Sequence, residues 1–250
     1  MPSEIVENVI LVAALMAIIV GATAGAWMHI QNQNRIAEIR YASTVLTQVG
    51  DTLRGVVYGG RGMGEVKFDF KTGSLQILED GGVFISLTIG GDKITLANVP
   101  YQYFQYKAPF QVYGSERIYD VGSEVKAYVE SVAATNVVYH YSEGGNSYVI
   151  LKPQVYVSSD VVGGKVSIHV YIMKILNPGA SMKGVTFTVE KTTPTITLYP
   201  IGQEADVTLN VQLRGVGDVK EGNLSIQGTQ PGQILEVTVN LIEVKTQWGR

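Results

Sequence analysis

The residues best suited to move a proton near neutral pH or to hold a metal are the histidines, and the chain has three, His29, His140 and His169. They lie far apart and share no ligand spacing, so they predict no metal site. His140 and His169 fall in the alternating runs VYHYS and SIHVY, where a histidine reads as a packed or surface residue of a strand rather than a base. His29 closes an apolar run just after Trp27, an ordinary place for a side chain with a polar tip. The stretch GGRGMGE, Gly59 to Glu65, invites comparison with a phosphate loop but lacks the Gly-Lys-Ser/Thr ending. It reads instead as a hinge between helix and sheet, with Gly59, Gly60, Gly62 and Gly64 freeing the backbone. No Gly-x-Ser-x-Gly elbow is present, and Asp80, Asp92, Asp120 and Asp160 stand singly in turn contexts. Absence of cysteine excludes thiol catalysis, disulfides and thiolate metal centres. The expectation is a protein that is not an enzyme and carries no cofactor or metal.

Two further stretches bear on recognition. VPYQYFQYKAPFQVY sets Tyr101, Tyr103, Phe104, Tyr106 and Tyr113 close together with glutamines between them. Tyrosine at this density suits an exposed contact surface, because the ring supplies area at low entropic cost and the hydroxyl stays wet. A cross-strand aromatic ladder holding a sheet together would use the same residues. Asn223 opens the sequon NLS, a pointer to glycosylation outside the cell. With 19 basic and 22 acidic residues, a formal charge of -3 and no basic block, the chain lacks the electrostatic footprint of a nucleic-acid binder.

The elements that must position these residues begin with an unusual one. Asn8 to Met28 carries no ionised side chain, about 21 residues that span roughly 30 Å as a helix, the thickness of a bilayer's hydrocarbon core. A secretory signal has a basic start and a shorter apolar core, whereas this chain opens with acids at Glu4 and Glu7. A plain anchor also fits poorly, because the nearest basic residues, Arg35 and Arg40, lie on the C-terminal side and would place the body in the cytoplasm. A basic leader removed from in front of residue 1 would resolve that conflict. Ala13, Ala17, Gly21 and Gly25 recur every four residues, a stripe that lets helix backbones approach one another closely.

The helical pattern then continues. Ile36, Ile39, Ala42, Leu46, Val49, Leu53 and Val56 form one apolar face, with no proline between Ser3 and Val57. One helix over residues 1–58, roughly 80 Å long, is expected, ending at Gly59 and Gly60. Residues 59–64 are expected as the joint and 65–250 as a β-rich head, since from Glu65 the period changes from 3.6 to 2. Short alternating runs such as EVKFDF, GSLQILED, GVFISLTI and DKITLANV are split by turn residues in EDGGV, SEGGNS, DVVGGK, NPGAS and GTQPGQ. The fold class predicted is α+β, a long N-terminal hydrophobic helix followed by an antiparallel β-sandwich-like head. Division of the head into one domain or two is open at this level.

An apolar N-terminal helix that becomes amphipathic and then leads into a β-rich head without cysteine resembles the archaeal type IV pilin-like family, which includes adhesion pilins and archaellins. The resemblance covers residues 1 to about 60 well and the head only in class. It implies a leader ending in glycine that is clipped, helices that leave the membrane and bundle as a filament core, and heads that coat the outside. Bacterial relatives carry a glutamate at the fifth mature position, where this chain has Ile5 with acids at Glu4 and Glu7. The implied function is that of a structural subunit of an extracellular adhesive filament, inserted in the membrane before assembly. Its partners would be copies of itself, and then surface glycans or other cells. The alternatives are an archaellin of a motility filament and a single-pass anchored envelope protein with a β-rich binding domain.

Overall fold

The computed structural model describes residues 2–58, 63–122, 127–129, 136–162, 165–176, 181–182, 184–191, 195–201, 205–214, 222–229 and 232–248. It opens with helix α1, Pro2–Tyr58, unbroken over 57 residues and so roughly 85 Å long. Its two halves face different surroundings. From Val6 to Arg35 the helix is exposed, whereas Ile39, Ala42, Val45, Leu46, Val49, Leu53 and Val56 are each at most 3 % exposed. The periodic apolar face read from Ile36 onward is therefore the face that enters the head, with Ile36 itself half-buried at the entrance.

Fifteen described strands follow in two sheets, so the chain is a long apolar helix with a mostly antiparallel β head. The first sheet runs in spatial order β1 (Met63–Asp69), β11 (Gly184–Lys191), β15 (Ile234–Trp248), β9 (Lys165–Ile175), β8 (Val155–Val162) and β5 (Ala127–Val129). Strand β12 (Thr195–Pro200) pairs with the first half of β15. The second sheet runs β14 (Gly222–Thr229), β13 (Ala205–Arg214), β2 (Ser74–Ile89), β3 (Asp92–Ala108), β7 (Asn146–Lys152), β6 (Val137–Glu143) and β4 (Ile118–Val121). Strand β10 (Ser181–Met182) adds to β2. Two ladders are parallel, β9 with β15 and β5 with β8, each joining segments remote or separately wound in sequence.

The stretch EDGGV does not turn the chain, as its glycines suggested. It is a bulge inside the 16-residue β2, where the pairing jumps from Glu79↔Gln102 to Gly82↔Pro100 and Gly81 takes a φ of 71°. The ladder survives because one extra residue is absorbed locally. Gly144 and Gly145, both at positive φ, do make the tight turn from β6 to β7 expected of SEGGNS. Gly59, Gly60 and Gly62 lie outside the described residues, as do residues 163–164 of DVVGGK and 177–180 of NPGAS.

Two cores result. The first gathers Leu46, Val49 and Leu53 of α1 with Phe68, Leu75, Phe104, Leu151, Met173, Phe187 and Val244 from both sheets. The second contains no helix residue and joins Ile85, Leu87, Ile168, Val170, Leu209 and Val237. Strands β2, β3, β9 and β15 contribute to both, and they do so with opposite faces. In β9, Val166, Ile168, Val170 and Ile172 face the second core, while the adjacent Met173 and then Ile175 face the first. Successive strand residues point to opposite sides, so each of these strands has one core on each side of its sheet along its length. At the crossing, Gln102 is buried, donates to Glu79 Oε1 at 2.7 Å and accepts the Ile175 amide at 2.6 Å. It thereby links the two sheets where their buried faces change.

Candidate functional site, an apolar helix and its seat

The free half of α1 presents an apolar surface on all sides. Thirteen large apolar side chains from Val6 to Ile30 are between 51 and 67 % exposed, and none of the most hydropathic window is covered by the head. Partial burial of this set is worth on the order of 10–20 kcal/mol, which rivals the whole net stability of a domain. Such a surface must be covered by lipid or by protein. The helix is long and apolar enough to cross a membrane, and the one hydroxyl side chain between Val6 and Arg35, Thr23, is satisfied within the helix by donating to the Ile19 carbonyl at 2.8 Å. A Cβ added at Gly21 or Gly25 meets nothing within 4 Å, so the small-residue stripe through Ala13, Ala17, Gly21 and Gly25 lies open along this half. Glu4 lies in α1 with its side chain outside the described set, and Glu7 is exposed.

The other half is fastened to the head by polar contacts as well as by apolar packing. Oε1 of Glu38 accepts the amides of Thr72 and Gly73, at 2.8 and 3.0 Å, and the Tyr106 hydroxyl at 2.6 Å. Burial works to raise the pKa of Glu38, but the hydrogen bonds from Tyr106, Gly73 and Thr72 together outweigh it and hold the carboxyl below the ordinary glutamate value. The same contact, after burial, pushes the Tyr106 phenol far up. Further along, Nδ2 of the buried Asn136 donates to the Gly50 carbonyl at 2.6 Å, and its Oδ1 accepts both the Gln154 amide and the Tyr156 hydroxyl at 3.0 Å. Gly50 is the residue that permits this, because a Cβ there would lie 3.2 Å from the Asn136 side chain.

A third fastening uses residues that resemble a hydrolase set. Ser43 Oγ donates to Asp120 Oδ2 at 2.7 Å, and His140 Nδ1 meets the same oxygen at 2.8 Å. The carboxylate stands in the middle and the serine has no imidazole beside it, so the order that would activate a nucleophile is not the one present. The cluster ties α1 to β4 and β6, with Tyr113 packed on the His140 ring at 4.5 Å. Among the described residues no group of three His, Asp or Glu side chains is placed to hold a metal ion.

The structure redistributes the aromatic run. Tyr101, Phe104 and Tyr106 are core residues, at 3, 0 and 0 % exposure, and offer no contact surface. The reason is their side of the sheet: Phe104 and Tyr106 project towards α1, and Tyr101 sits at the crossing with its hydroxyl donated to the Pro153 carbonyl at 2.9 Å. Tyr103 and Tyr113 are half-buried. Gly64 lies in β1, where an added Cβ would come 2.3 Å from Thr52 Cγ2, so its lack of a side chain serves close packing on α1. Asn223 lies in β14 opposite Asn210, its side chain outside the described set. Glu38, Asn136 and Ser43 were not legible as fasteners, since each contacts residues distant in sequence. The chain matches no protein-family model, no curated protein and no solved structure.

Proposed function

We propose that this chain is the structural subunit of an extracellular helical filament, built like a type IV pilus and used for attachment. The observation that carries the reading is one continuous helix with a bare apolar half and a half locked into the head. Copies laid side by side bury the bare halves in a common core, and the locked halves give every head the same direction from that core. Before assembly the same surface is covered by lipid, so the subunit waits in the membrane with its head outside the cell. The open stripe of Ala13, Ala17, Gly21 and Gly25 supports close contact between neighbouring helices. Negative-stain microscopy of material sheared from cells without detergent tests it. Filaments carrying this chain are the expected result, and a dispersed particle that needs detergent to stay in solution would leave a permanent membrane anchor in their place.

A further inference from the structure

The half of α1 that is seated in the head keeps one side turned away from it. Ala37, Arg40, Thr44, Gln48 and Asp51 are exposed at steps of three and four, and the row ends at the half-exposed Gly55. A Cβ added at Gly55 meets nothing within 4 Å. Beside that end of the row a groove of about 450 Å³ opens, with Gln48, Asp51 and Gly55 on one wall and Glu65 and Lys67 of β1 on the other. Because α1 is unbroken, any bundle that covers its bare half carries this row along with it. Heads placed outside such a bundle turn the row inward, toward the neighbouring helices.

The row carries one charge of each sign, and among the described residues neither Arg40 nor Asp51 takes part in an ion pair. They cannot meet within one chain, because 11 residues hold them roughly 16 Å apart along the axis, three turns that leave both on the same side. Neighbouring charges are engaged elsewhere. Glu38 accepts from Thr72, Gly73 and Tyr106, and Asp120 is held by Ser43 and His140. Lys67 pairs with Glu65 at 3.1 Å, and the Arg35 guanidinium lies over the Phe110 ring at 5.7 Å. Arg54 is half-buried beside Tyr58 and Tyr156, and Asp69 stands past Tyr41, whose hydroxyl accepts its amide at 3.5 Å. A side with one guanidinium and one carboxylate among hydroxyls and amides suits neither lipid tails nor a polyion. It does suit its own copy, because a parallel helix displaced by those same three turns brings Arg40 of one subunit level with Asp51 of the next.

We infer that this side of α1 is an interface with a second copy of the chain, in which Arg40 of one subunit enters the groove beside Gly55 and pairs with Asp51 of a parallel neighbour displaced by about 16 Å. Each subunit then gives an arginine to one neighbour and an aspartate to another, so the contact repeats without closing. It presupposes the filament of the proposed function and sets the register between its helices. Arg40→Glu and Asp51→Arg, made singly and together in the full chain, test it by the yield of sheared, detergent-free filaments. Each reversal alone opposes like charges and should lower the yield roughly tenfold, whereas the two together restore the attraction with signs exchanged and should return it to within about threefold of the parent. Circular dichroism of every variant in micelles should stay that of the parent, since neither side chain is ion-paired within the subunit. A second measurement uses Arg40→Cys with Asp51→Cys, whose thiols are too far apart to join within one helix. Oxidation of those filaments should give a ladder of linked subunits that neither single variant gives. Full yield from both reversals, a double reversal no better than the single ones, a missing ladder, or a ladder from one substitution alone overturns the inference. Parent chains that form no filament would remove the filament reading and this contact together, whereas parent filaments indifferent to these changes would remove the contact alone.

Discussion

Replacing Glu38 by alanine tests whether the head truly fixes the helix. Three donors lose their acceptor: the Thr72 amide, the Gly73 amide and the Tyr106 hydroxyl. Thr72 is exposed and its amide turns to water at little cost, whereas Gly73 and Tyr106 are buried and are left unsatisfied. At about 1–1.5 kcal/mol for each buried donor abandoned, the loss is about 2–3 kcal/mol, small enough to leave the head folded and large enough to measure. Urea unfolding of the head, followed by far-ultraviolet circular dichroism in micelles, reads it. The loss depends on pH with a defined sign. Glu38 has a folded pKa below its unfolded value, so its contribution is fully present above about pH 4.5 and fades as the pH falls through the folded value. Parent and variant should therefore differ most at neutral pH and converge in acid. A difference under about 0.5 kcal/mol, the scatter of an ordinary surface substitution, would refute the reasoning. So would a difference that stayed constant from pH 7 into acid.

Asn136→Ala should cost about 2–4 kcal/mol in the same assay, because the Gln154 amide and the Tyr156 hydroxyl lose a buried acceptor and Gly50 loses a donor. Gly73→Ala should be severe, about 2 kcal/mol or more, since its Cβ would lie 2.3 Å from the ring of Tyr106, which core packing and Glu38 hold in place. Gly21→Leu with Gly25→Leu should leave head stability within about 0.5 kcal/mol of the parent, because both sites open onto empty space. The same pair should sharply reduce the yield of sheared filaments while leaving membrane insertion intact, as scored by microscopy and membrane fractionation.

The helix was the most legible element because its signals are local: a charge-free span, then a 3.6-residue period whose apolar members are the residues that enter the core. Strand content was legible for the same reason, through alternation. Strand limits were not, since Gly81 and Gly82 read as a turn but form a bulge, and only the partner strand β3 decides which. The parallel ladder of β9 and β15 joins segments about 70 residues apart, and no local pattern reports such pairing. Side of sheet was the other loss. Local density singled out Tyr101 and Tyr106, which are buried, while Tyr119, exposed on β4, stands outside the dense run. The alternate spacing of Tyr139 and Tyr141 in VYHY signals a common face without saying which way it points. The three fasteners of α1 depend on contacts between residues 18 to 86 positions apart, so each looked like an ordinary polar residue.

The central claim is that the bare half of α1 ends among copies of itself. The chain has no cysteine, so Ala17→Cys places one thiol on the open stripe. Treatment of sheared, detergent-free material with a short thiol cross-linker should join subunits through residue 17 in high yield, and the products should persist when the heads are cut away by protease. Subunits that remain single, with residue 17 reactive only toward a lipid-borne reagent, would contradict the account.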